Sequence, residues 1–113
     1  MIKTGWFWLV VFGLTIGTVR TQYAPAWDEV LVHVNVENSE ARDIKDVQMT
    51  VQILDLNLYW RIFPRIDIKD GTSAGRMLAL DMPAGIKKGI YLTRITASND
   101  VYRDVRHAWL PIM

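Results

Sequence analysis

His33 and His107 are the only two histidines in the chain, and with a scatter of aspartates and serines they make up its stock of groups able to bind a metal or move a proton. Neither imidazole has a carboxylate at metal-ligand spacing, and both fall in strand-like runs, His33 on an outward position between valines. Ser39, Ser73 and Ser98 sit in turn-forming stretches, and none lies in the Gly-x-Ser-x-Gly setting that exposes a nucleophile. Asp67, Asp70, Asp100 and Asp104 could meet on calcium only if separate loops converged, since there is no DxDxDG loop. Residues 69–75 (KDGTSAG) lack the spacing of a phosphate loop. Cysteine is absent, which removes disulfides, thiolate metal sites and cysteine nucleophiles together. The expectation is a protein that is not an enzyme and carries no metal and no cofactor.

Binding is the better prospect. Tyr59, Trp60, Arg61, Phe63 and Arg65 crowd into one short stretch, and planar rings beside arginines suit a sugar face, a peptide or a protein partner. The competing reading turns these rings inward to close one end of a core, because free Trp and Phe expose too much apolar surface in a soluble monomer. Trp109 reads as core or as inter-subunit packing.

The elements that must position these groups are strands. Val30, Val32, Val34 and Val36 alternate with Leu31, His33 and Asn35, a period of two that gives one buried and one mixed face. The pattern repeats at Val47, Met49, Val51 and Ile53. Residues 38–43 form the polar turn between these runs. Residues 55–64 (DLNLYWRIFP) are apolar but irregular and read as a crossing loop or short edge strand ended by Pro64, with a brief strand over residues 66–68. Asp70-Gly71 makes a turn, and Leu78, Leu80 and Met82 share a face. After Pro83-Ala84-Gly85, Tyr91, Thr93, Ile95 and Ala97 point one way, residues 98–100 turn, and a last strand runs from Val101 to Leu110. About seven strands at this spacing predict an all-β, antiparallel β-sandwich. Tyr91, early in the penultimate strand, is placed to bury its ring and turn its hydroxyl back to the backbone.

Residues 1–26 are an apolar N-terminal segment with three readings. Residues 5–19 carry no charge, which suits a signal-peptide core with Ala24-Pro25-Ala26 as the cleavage motif before Trp27. The same run, kept in place, would be a short membrane anchor, although a spanning helix needs about 20 apolar residues. Alternation of Leu14, Ile16 and Thr18 also allows a first strand, with residues 20–27 as the connection and the domain starting near residue 12 instead of residue 27. Over residues 27–113, eleven bases face twelve acids. Such a mixed surface has no footprint for nucleic acid and no polybasic patch for anionic lipid.

The order of a weak first strand, then Pro25-Ala26-Trp27-Asp28-Glu29 leading into VLVHVNVEN, DVQMTVQIL, IDIKDGTSAGRMLALDMP and GIYLTRITASND resembles immunoglobulin-like domains of the CARDB type, found in archaeal and bacterial surface or secreted proteins. Asn38 ending the valine strand, Gly71, and Gly89-Ile90-Tyr91 are the most characteristic pieces. Ala26-Trp27 departs from the family, which often has a glycine there. The resemblance covers roughly residues 14 to 110. It implies an immunoglobulin-like sandwich in an extracellular or cell-surface setting. The function expected beside it is action without catalysis through a protein partner or self-association, and a further reading attaches the domain to a membrane through residues 5–19. The alternative is a carbohydrate- or peptide-binding module using residues 59–65.

Overall fold

Val30, Val32, Val34 and Val36 are all at or below 1% exposure, and the same holds for Val47, Met49, Val51 and Ile53 of the second run. The computed structural model, which describes residues 13–24 and 29–112, arranges the chain as seven strands: β1 (Leu14–Ala24), β2 (Glu29–Asn38), β3 (Ile44–Ile53), β4 (Leu58–Ile68), β5 (Ser73–Asp81), β6 (Gly89–Ser98) and β7 (Arg103–Ile112), with a 3-10 turn at Leu54–Leu56. All pairings are antiparallel. They build one sheet in the order β1-β2-β5 and a second in the order β4-β3-β6-β7. The two sheets face each other across the valine and isoleucine side chains, and the all-β, immunoglobulin-like sandwich expected from strand spacing is what forms.

Each buried Val, Leu or Ile contributes about 1.5–3 kcal/mol by leaving water, so this cysteine-free core carries the fold by packing. A polar residue is buried with it. Thr93 is fully buried on β6, and its hydroxyl finds no hydrogen-bond partner among the described residues.

Three expectations about local structure are corrected. Residues 55–64 were expected to cross as a loop or short strand ending at Pro64, with 66–68 separate. Instead, after the 3-10 turn, a single strand β4 runs from Leu58 to Ile68 straight through Pro64. β4 is an edge strand, so proline's missing N–H faces no ladder partner on one side, and extra residues on β4 between Ile62 and Ile66 absorb the irregularity. Residues 20–24, expected as a connection, extend β1 and pair with β2 from Arg20↔His33 to Ala24↔Glu29. The alternation that joined Thr18 to Leu14 and Ile16 also fails, because the β1–β2 register shifts between Ile16 and Thr18. Gly17 is the extra residue, and Val19 then takes the core side. A Cβ on Gly17 would lie 2.8 Å from the Glu37 Oε1, so a larger residue at the bulge would have to turn that flexible carboxylate aside.

The loops at one end of the sandwich are held by side chains. Asn38 is 2% exposed; its amide nitrogen donates to the Ile68 carbonyl (2.8 Å) and the Arg42 carbonyl (3.0 Å), and its amide oxygen accepts from Glu40 N–H (2.8 Å). Asp46, at a left-handed φ of 56°, occupies a bulge in β3; Asp67 accepts its N–H, while Asn99 donates to the carbonyl of neighbouring Lys45. Asn99 also closes the β6–β7 turn by accepting from Val101 and Tyr102 N–H. The Tyr102 hydroxyl donates to Glu40 at 2.6 Å, and that hydrogen bond, with burial and the nearby negative charge, holds its pKa above the ordinary phenol value.

Tyr91 behaves as its position suggested: its hydroxyl donates to the Lys87 carbonyl at 2.5 Å while its ring packs against the core. Removing that hydroxyl with Tyr91→Phe is expected to lower unfolding free energy by about 1 kcal/mol. A urea midpoint unchanged from the parent would show that the corner is ornamental.

Candidate interaction surface

The residues singled out for binding do not converge on one platform. β4 alternates, so Trp60 turns inward and packs against the core, whereas Tyr59 and Arg61 face solvent. The Arg61 guanidinium lies 5.8 Å from the Tyr59 ring centroid and its Nε donates to the tyrosine hydroxyl at 3.4 Å, a long contact that orders the pair at the sheet edge. Arg65 is exposed and donates to Gln48 at 3.0 Å. The Phe63 side chain lies outside what is described. Of the two described rings in this stretch, one goes to the core and one to the surface.

Trp109 moves the other way. Expected as core or inter-subunit packing, it is 65% exposed, so the core reading is excluded. Leu110 and Ile112 point inward, and alternation sends Trp109 and Pro111 outward. Across the β6–β7 ladder, Trp109 stands directly opposite Leu92, and Pro111 opposite Ile90, itself 68% exposed. Directly opposed side chains have Cβ atoms about 4.5–5.5 Å apart, so these four residues form one contiguous apolar patch. Below it, Arg94 and His107 are the next opposed pair, and the guanidinium donates to the imidazole at 3.3 Å. Gln52 continues the row across β3, with Tyr59 beyond it on β4. The outer face of the four-stranded sheet therefore runs from apolar at one end to arginine, histidine and tyrosine across its middle.

No protein-family model matches the chain, and no curated protein is similar to it. The surface has to be judged on its own chemistry.

His33 and His107 lie on the outer faces of different sheets. Of the four aspartates considered for calcium, Asp67 accepts Asp46 N–H and Asp104 accepts Ile16 N–H (2.7 Å), and no group of three potential ligands occurs among the described residues. Among the same residues no helix is long and apolar enough to cross a membrane. The cleavage motif at Ala24-Pro25-Ala26 and the apolar run before Gly13 fall, for the most part, outside the described residues.

Sequence reasoning missed Ile90, Leu92, Trp109 and Pro111 as a group. Alternation sets Leu92 and Arg94 opposite in sense to Tyr91 and Thr93, but outward positions are even on β6 and odd on β7, so Trp109 is placed only by the Ser98↔Arg103 pairing across the turn.

Proposed function

We propose that this is a non-catalytic, extracellular immunoglobulin-like protein that acts by contact, and that its contact surface is the outer face of the four-stranded sheet around Trp109. One observation carries the reading: a tryptophan and an isoleucine, each about two-thirds exposed, stand beside Leu92 and Pro111 on a flat sheet. Apolar patches of this kind on soluble domains mark surfaces that are covered by a partner, and tryptophan is the commonest energetic anchor in such contacts. The strand patterns resembling CARDB-type domains support the extracellular setting.

Faces are favoured over edges as the means of association. β4 carries Pro64 and a bulge; β5 places Arg76 opposite inward-facing Val34; and β1 is engaged by β7 side chains. Each is a device that discourages addition of a foreign strand.

The first partner to test is a second copy of the chain. Sedimentation velocity from micromolar to millimolar concentration is expected to reveal a reversible dimer, with Trp109→Ser weakening it at least tenfold. A chain that stays monomeric throughout would refute self-association through this face, and a dimer untouched by Trp109→Ser would point to strand exchange.

A second reading keeps the same face but gives it a glycan. Tyr59 and Trp109 are both exposed rings on that one sheet, as stacking on sugar requires. Ligand-induced change in tryptophan fluorescence would then depend on Trp109 and not on inward-turned Trp60.

A further inference from the structure

The opposite face of the sandwich holds a different kind of surface. On the outer side of β1-β2-β5 an open depression of about 570 Å³ is lined by Thr18, Arg20, His33, Asn35, Gly75 and Arg76, with Met77 as one wall. The register makes it a small grid: Thr18, Asn35 and Gly75 stand in one row, and Arg20, His33 and Met77 in the next. Arg76 reaches it from the sheet edge, where one guanidinium nitrogen donates to the Gly75 carbonyl at 2.9 Å and leaves the remaining donors available.

Two features set this depression apart from an ordinary solvated face. The first is charge. Exposed sheet faces gain from opposite charges set across from each other, yet here Arg20 faces His33 and, among the described residues, no carboxylate lines the hollow. The whole chain is nearly balanced, with 13 bases and 12 acids, so composition does not explain a lining that holds two arginines and a histidine with no acid among its described residues. Among the described residues, neither Arg20 nor His33 has a hydrogen-bond or ion-pair partner. Further along the same face the acids return at Glu29 opposite Asp81, four residues or roughly 13 Å from His33. Glu37 marks the other limit, its carboxylate folded over Gly17.

The second feature is the floor. Gly75 lies mid-strand in β5 without a left-handed φ, so its backbone would accept any residue, and a Cβ there would meet nothing closer than the Val34 carbonyl at 4.0 Å. A strand-interior glycine that neither a bulge nor crowding requires weakens its strand, and what it gives in return is space. That space is what lets an approaching group sit level with the Asn35 amide and between the two guanidiniums.

We propose that this depression binds a phosphate or sulfate group, gripped by Arg20 and Arg76, with Asn35, Thr18 and His33 as further donors. Guanidinium forks match the oxygens of tetrahedral anions and form short, charge-assisted hydrogen bonds with them. The cluster is too small for a nucleic acid, whose affinity comes from many phosphates along a track. One ester group, on a small molecule or at a glycan end, is the size that fits. The proposal is independent of the Trp109 face, since it rests on the other sheet.

The experiment is an amide NMR titration of the full chain with inorganic phosphate, then sulfate, then a phosphorylated and a sulfated monosaccharide, with sodium chloride holding ionic strength constant. Resonances of Thr18, Arg20, His33, Asn35 and Gly75 are expected to move together and saturate in the millimolar range or below. Arg20→Gln and Arg76→Gln should each weaken binding about tenfold, and Gly75→Val, which fills the floor, should do the same while leaving Tyr91 and Leu110 resonances in place. A monosaccharide ester tighter than the free ion assigns the group to a glycan; equal affinity assigns it to a small anion. Shifts that chloride reproduces, that never saturate, or that survive both arginine variants would overturn the proposal.

Discussion

Asn38→Leu is expected to lower unfolding free energy by roughly 3 kcal/mol, more than any exposed polar replacement in the chain. Asn38 ends the valine strand, and its side chain joins three separate pieces of backbone: Ile68 at the end of β4, Arg42 in the following turn, and Glu40 N–H. Its own N–H donates to the Thr72 carbonyl at 2.9 Å, so the residue ties the β2–β3 turn to the β4–β5 turn from both ends. Leucine keeps the branched outline with more bulk, and leaves the Ile68 and Arg42 carbonyls and the Glu40 N–H to find other partners at a position only 2% exposed. Each group stranded without a partner costs about 1–3 kcal/mol, and water reaching the turn from outside recovers part of that. Asn38→Asp keeps the acceptor and loses both donors, so it should be no better than leucine. Urea denaturation with a common slope measures both, and a loss below about 1 kcal/mol for Asn38→Leu would falsify the view that this amide organises the end of the sandwich.

The second large effect is local. β1 has a backbone ladder on one side only, toward β2, and on its other side it meets β7 through side chains. Asp104 accepts the Ile16 N–H at 2.7 Å, and Arg106 donates to the Ile16 carbonyl at 2.5 Å and to the Gly17 carbonyl at 3.4 Å. One residue of β1 thus has both its outward backbone groups held by charged side chains, at the point where the Gly17 bulge breaks the ladder. Such charge-assisted bonds are worth about 1.5–3 kcal/mol each when shielded; Arg106 is exposed, so about 2 kcal/mol is the reasonable total for the pair. The double variant Asp104→Ala, Arg106→Ala is therefore expected to raise amide exchange along β1 roughly 30-fold, while β3 and β6 change only as far as global stability does. Equal acceleration in β1 and β6 would mean that β1 opens only when everything opens, and that the clamp has no separate role.

The fold was legible because its dominant signal is period two. The valine run of β2, the run of β3, and the Tyr91-Thr93-Ile95-Ala97 face of β6 each needed only alternation, and the buried residues fall where alternation puts them. The failures cluster where a bulge resets the phase. Gly17 turns Thr18 outward, and the irregular stretch around Pro64 made one long strand look like a loop and a fragment. A bulge adds one residue without changing composition, so periodicity analysis reads it as the end of a strand. The candidate site was less legible. Ring-rich β4 attracted attention because its aromatics are adjacent in sequence, yet adjacent residues in a strand face opposite ways, and Tyr59 and Trp60 separate accordingly. Side chains that meet on a sheet come from different strands, and Ile90 and Pro111 are 21 positions apart in sequence. Asn38 shows the same limit: its type predicted a turn, but its three partners come from tertiary structure.

The apolar patch around Trp109 and the hollow above Gly75 belong to different sheets, and they look out in opposite directions with the whole core between them. Occupants of the two faces cannot touch or obstruct each other. A slab with two unlike sides has the geometry of a coupler: a ligand held on one side would lie within one domain's thickness of a partner held on the other.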